Sequence, residues 1–149
     1  LRDELLLFAR QLGWYHCVPE KEKMSRSEKL LERNHALELT LPPVQLEYLV
    51  HLFYEVGLCE QGFNGAIRLS WSEVAAWLLT TGRRLNHWEV TTLVDMSNEY
   101  VRERNSTEGF RPIPYGDVKV DKVKEAKQLE DFFEMMINRK EVLEEIEEE

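Results

Sequence analysis

The 149-residue chain has few cysteines, prolines and glycines: two, five and seven. Cys17 and Cys59 are too few for a disulfide scaffold, so free thiols in a reducing cytoplasm are expected. Long apolar runs are missing as well. No stretch approaches the roughly 20 residues that a membrane-spanning helix needs. The apolar cluster Leu5 to Ala9 follows Arg2, Asp3 and Glu4, and so lacks the basic leader and long apolar core of a signal peptide. Cations are outnumbered: 19 Lys and Arg stand against 28 Asp and Glu, a formal net charge of -9. Nucleic acids and anionic membranes are bound through clustered Lys and Arg, so neither is an expected partner. The first residue is Leu1 rather than Met, which leads us to expect a processed or trimmed product, or the downstream part of a longer polypeptide.

What the chain does contain is helical periodicity within a composition that is 43% hydrophobic and 32% charged, suited to a single soluble domain with an extension. Leu5, Phe8, Ala9 and Leu12 recur at spacings of three and four, the stripe of a first helix that Gly13 is expected to end. Ser25 with Glu28 has capping-box spacing for a second helix, whose buried side would hold Leu30, Leu31 and Leu37. After Pro42 and Pro43, the segment Gln45 to Leu58 carries Leu46, Leu49, Val50, Phe53, Tyr54 and Val56, a stripe wide enough for a central helix. Gly57, Gly62 and Gly65 then indicate a flexible loop.

Ser70 and Glu73 open the next helix, and Gly82 occupies its left-handed C-terminal position. Asn86 and Glu89 open a longer one, His87 to about Arg104, with Leu93, Val94, Met96 and Tyr100 among its apolar residues. The turn-rich "NSTEGFRPIPYGDV" reads as a surface linker. From about Asp121 the chain is helical again, with Val123, Ala126, Leu129, Phe132, Phe133, Met136, Leu143 and Ile146, and its acidic end opposes the helix dipole and should fray. Only "PYGDVKV" has extended character. The expected fold is therefore all-α: a helical domain of four to five helices over residues 1–104, a linker over 105–120, and an acidic C-terminal helix over 121–149.

Catalytic and metal-binding patterns are not evident. His16 beside Cys17, and His51 eight residues before Cys59, repeat no zinc spacing, and His35 and His87 stand apart. There is no glycine-rich phosphate loop and no nucleophile elbow. We expect no enzyme activity, no cofactor and no metal. A helix-turn-helix reading fails on charge: Arg83 and Arg84 lie in the turn, and the next helix opens Asn86-His87-Trp88-Glu89 with no lysine or arginine for a major groove.

Three of the four tryptophans, Trp71, Trp77 and Trp88, fall in "RLSWSEVAAWLLTTGRRLNHWEV". At 3.6 residues per turn, positions 71, 74, 75 and 78 share a face and Trp77 lies away from it, so one indole must sit at an edge unless the helix is sandwiched. Core packing accounts for all three in the simpler reading. In the sharper one, Trp77 or Trp88 anchors a partner.

The span Leu46 to Val101 resembles the tail assembly chaperones of long-tailed bacteriophages of the lambda-like siphovirus type. The resemblance rests on Phe53-Tyr54, Leu69-Ser-Trp71-Ser-Glu73-Val74, Thr81-Gly82-Arg-Arg-Leu85, Trp88-Glu89 and Asp95-Met96-Ser-Asn-Glu-Tyr100. It covers somewhat more than a third of the chain, and the linker and helix after Asn105 have no counterpart in it. Many such chaperones are made in a short and a frameshifted longer form. The resemblance implies a non-enzymatic protein of the host cytoplasm, absent from the mature virion. It would bind the tape measure protein, help recruit major tail tube subunits, and possess some capacity for self-association. A structural minor tail or connector protein is the alternative. Two segments are candidate contacts: the exposed part of the Trp71–Tyr100 helical pair, including Trp77 and Trp88, and the terminal helix with Phe132, Phe133, Met135, Met136 and Ile137.

Overall fold

A computed structural model describes residues 1–33, 39–116 and 129–139. Expectations for His35 and Leu37, for residues 117–128 including Val123 and Ala126, and for the acidic end with Leu143 and Ile146 fall outside these. The elements run α1 (Arg2–His16), α2 (Arg26–Glu32), α3 (Glu47–Val56), β1 (Glu60–Gly62), β2 (Gly65–Ile67), α4 (Trp71–Thr81) and α5 (His87–Asn105). Residues 129–139 are helical too.

The helix starts follow local chemistry. Ser25 and Asn86 each complete a reciprocal capping box, with Glu28 and Glu89. Ser70 Oγ accepts the Glu73 N–H at 3.1 Å. Each such contact satisfies backbone donors that a helix N-terminus otherwise leaves orphaned. At the other end of α4, Gly82 adopts φ 68°, the left-handed conformation that costs glycine least.

The core forms where α1 crosses α5 and α3 closes over both. Leu5, Phe8, Ala9 and Leu12 of α1 meet Leu49, Val50 and Phe53 of α3 and Leu93, Met96 and Tyr100 of α5, all buried. Gly13 does not end α1, which continues to His16. Its place is at the crossing: a Cβ built there would lie 2.3 Å from the Tyr100 carbonyl oxygen, a distance only hydrogen can occupy. Arg2–Asp95 and Arg10–Glu99 ion pairs flank the same crossing, the latter at 2.8 Å. By contrast α2 buries no residue fully, and Leu31 is exposed.

The all-α expectation needs correction. The molecule is mostly helical, but the segment read as a flexible loop is an antiparallel β-hairpin, with Glu60 opposite Ile67, Gln61 opposite Ala66 and Gly62 opposite Gly65. Strands of three residues are too short to show alternation, although Asn64-Gly65 is a recognised hairpin signature. Buried Ser97 pins both ends of the hairpin to α5: its Oγ donates to the Leu58 carbonyl at 2.6 Å and accepts the Leu69 N–H at 2.8 Å. Asn105 Nδ2 donates to the Ala66 carbonyl at 2.7 Å.

The chain after α5 runs back over α1. Trp14 Nε1 donates to the Arg111 carbonyl at 3.1 Å, and buried Gln11 bridges the Thr40 carbonyl and the Tyr115 N–H. Pro114, Tyr115 and Gly116 belong to no strand.

Candidate protein-binding surface

Seven of the eleven residues of α4 are apolar, more than one buried stripe needs. Yet Val74 is its sole fully buried residue. Val74 joins Leu69 and Val94 in a small second cluster, against which Trp77, Leu78 and Val90 pack. The buried stripe of α4 is therefore 74, 77 and 78. The face that periodicity assigns to 71, 74, 75 and 78 is split at its edge, and Trp71, Ala75 and Leu79, at spacings of four, face outward. Leu79 is 86% exposed and Trp71 48%.

The Trp71 ring stacks on His87, with centroids 6.2 Å apart and planes 12° apart. This contact brings the first turn of α5 beside the first turn of α4. Trp88, next in sequence, is 42% exposed. Trp71, Leu79 and Trp88 are thus all exposed apolar side chains on this helical pair. Indole is enriched among residues that carry binding energy.

Of the residues nominated from sequence, Trp77 lies inward, half-buried between the two apolar clusters. Its Nε1 is buried without a hydrogen-bond acceptor among the described residues. Trp88 lies at the surface, as do Phe133, Met135 and Met136 of the 129–139 helix. Phe132 instead packs half-buried against the main core. Trp71, not nominated, is the outward indole of α4. Periodicity placed Trp71 and Trp77 on different faces but carried no signal for which face meets the body.

Burial governs the titratable groups of the interior. His16 Nδ1 lies 2.6 Å from the Tyr100 hydroxyl. Burial, then the nearby Arg104 charge, lowers the His16 pKa, and burial pushes Tyr100 up to about 12. Burial also raises the Cys17 thiol, which favours the protonated form rather than the thiolate a nucleophile requires. Among the described residues no three His, Cys, Asp or Glu side chains converge as metal ligands would, and no helix is long and apolar enough to cross a membrane. Comparison of the chain with protein-family models, curated proteins and solved structures returns no match.

Proposed function

We propose that this protein is a bacteriophage tail assembly chaperone that holds the long helical tape measure protein soluble and helps recruit major tail tube subunits to it. The observation that carries the reading is the outward stripe of α4, Trp71, Ala75 and Leu79, with Trp88 also exposed at the start of α5. The motif positions that resemble such chaperones run through these same two helices. An amphipathic helix in transit to assembly has an apolar stripe to hide, and a rigid apolar helix face with aromatic edges can cover it. Tube subunits must later replace the chaperone, so each contact is modest and many copies act along the ruler. The net charge of -9 keeps copies apart in solution and favours partners with basic flanks.

The test is co-expression with the long helical ruler protein encoded in the same tail gene cluster. The wild-type chain should keep the ruler soluble and co-purify with it. A Trp71→Ala/Leu79→Asp chain should lose at least about tenfold in recovery, since an aromatic anchor and a central apolar contact are removed together. Undiminished recovery refutes the α4 assignment. Mass spectrometry of finished particles separates the roles, because a chaperone is absent from them and a minor tail or connector subunit is present.

A further inference from the structure

Arg26, Lys29, Leu30 and Arg33 follow one another at spacings of three and four, so they share one face of α2 and its C-terminal cap. That face walls a cleft of about 550 Å³, which Trp14 of α1 and the 109–111 segment complete. The volume is that of a small-molecule site.

Like charges at helical spacing repel, and only one of the three cations on this face is answered. Lys29 Nζ reaches both Glu22 carboxylate oxygens, at 3.0 and 3.1 Å. Among the described residues neither Arg26 nor Arg33 pairs with a carboxylate. Two uncompensated cations thus border one cleft on a chain whose net charge is -9.

Arg26 is held in place for an anion. Its backbone N–H donates to the Cys17 carbonyl at 3.1 Å, its Nη1 donates to the Trp14 carbonyl at 3.2 Å, and its guanidinium carbon lies 4.5 Å from the centroid of the Trp14 ring. A guanidinium carries five N–H donors, and the Trp14 carbonyl is the one acceptor they meet among the described residues. Stacking fixes the planar fork beforehand, which removes part of the ordering cost of binding an oxyanion. The same cleft has an apolar wall. Phe110 is 92% exposed, yet the residue beside it is anchored twice: the Arg111 carbonyl accepts Trp14 Nε1–H at 3.1 Å, and the Arg111 guanidinium donates to both Glu103 oxygens at 2.8 and 3.2 Å.

We propose that this cleft binds a small aromatic oxyanion, an aryl phosphate or aryl carboxylate, with its anionic group on Arg26 and its ring against Phe110. Arg33 adds attraction without direct geometry, and Lys29 and Arg111 stay with their own carboxylates.

The test is calorimetric titration of the full chain with phenyl phosphate, benzoate and inorganic phosphate at fixed ionic strength. Phenyl phosphate should bind wild type more tightly than inorganic phosphate does, and the order of phenyl phosphate and benzoate tells which oxyanion the cleft prefers. Arg26→Gln should weaken phenyl phosphate at least about tenfold, the worth of a hydrogen-bonded charge. Arg26→Lys keeps the charge without the fork and should fall between the two. Phe110→Ser should weaken phenyl phosphate about threefold or more and leave inorganic phosphate unchanged, since only the ring contact is lost. Arg33→Gln should cost about twofold, as an exposed charge does. Heat no greater than that of dilution would overturn the proposal, as would equal affinity of phenyl phosphate for the wild-type, Arg26→Gln and Phe110→Ser chains. Should Arg26→Gln fail to fold, Phe110→Ser, at an exposed position, decides alone.

Discussion

α1 and α5 approach until backbone meets backbone, whereas α4 rests on the body through Val74, Trp77 and Leu78 and turns the rest of its apolar surface outward. α4 is the most apolar of the three helices, so hydrophobicity alone does not decide which is buried. The difference lies in the partner surface. The first crossing has a glycine that admits a carbonyl oxygen, flanking ion pairs, and a stripe of residues that α3 also covers. α4 meets Leu69 and Val94 through Val74, and reaches the main core only through the edge of Trp77. One region commits its apolar area to folding, and the other leaves apolar area exposed.

The sharpest way to break that contrast is to put a methyl group into the crossing. Gly13→Ala would gain about 1 kcal/mol of helix propensity in isolation. Against this, the new Cβ would lie 2.3 Å from the Tyr100 oxygen and 3.1 Å from Glu103 Cβ, and the first of these is backbone that cannot swing aside. Overpacking of a tight core costs roughly 1–3 kcal/mol when side chains can adjust. The expected net loss is about 2 kcal/mol, and Gly13→Val should lose more because its branched side chain meets the same backbone. Urea unfolding midpoints at a constant m-value measure this. A neutral or stabilised Gly13→Ala would show that the helices can part without penalty.

A smaller effect comes from acid. The His16 pKa is lowered in the folded state from the ordinary 6.5, by burial first and by Arg104 second. The unfolded chain therefore takes up this proton more readily than the folded one. Stability is full above pH 6.5 and falls as pH drops through 6.5 toward the lowered folded value. His16→Gln keeps a polar group opposite the Tyr100 hydroxyl and removes the titration, so the slope between pH 7 and about 5 should flatten. Glu4, whose pKa is lowered by hydrogen bonds from Gln45, gives a stabilisation that is complete above its ordinary 4.5 and is lost only as pH falls below it, so it does not obscure that window. An unchanged slope in His16→Gln would place the acid sensitivity elsewhere.

The parts of this contrast that were legible in the sequence are the local ones. Ser25 with Glu28, Asn86 with Glu89, and Ser70 with Gly82 mark helix ends by contacts made within a few residues, and the structure contains each of them. The α1 stripe was equally readable, because 3.6-residue periodicity is a property of the helix itself. Gly13 was misread because a glycine that ends a helix and a glycine that lets two helices touch look alike until the second helix is in place. The hairpin was missed because three-residue strands carry no alternation, and the Ser97 hydrogen bonds that hold it span 28 and 39 residues. For the candidate site, the aromatic concentration was visible and the outward choice of Trp71 over Trp77 was not. That choice depends on Val94 and Leu69 supplying a floor beneath 74, 77 and 78.

The smallest expected effect on stability is also the one that most sharpens the comparison. Leu79 is 86% exposed, so replacing it removes almost no buried area, and a lysine there keeps good helix propensity. Leu79→Lys should therefore change the unfolding free energy by no more than about 0.5 kcal/mol, the usual range for surface substitutions. A residue present for folding would behave otherwise, because truncating or charging a buried leucine costs about 2–5 kcal/mol. If Leu79→Lys unfolds as wild type does and yet no longer keeps the helical ruler soluble, the leucine serves binding alone. A loss above about 2 kcal/mol would mean that α4 is covered in solution by some part of the chain, and the stripe would then belong to the fold rather than to a partner.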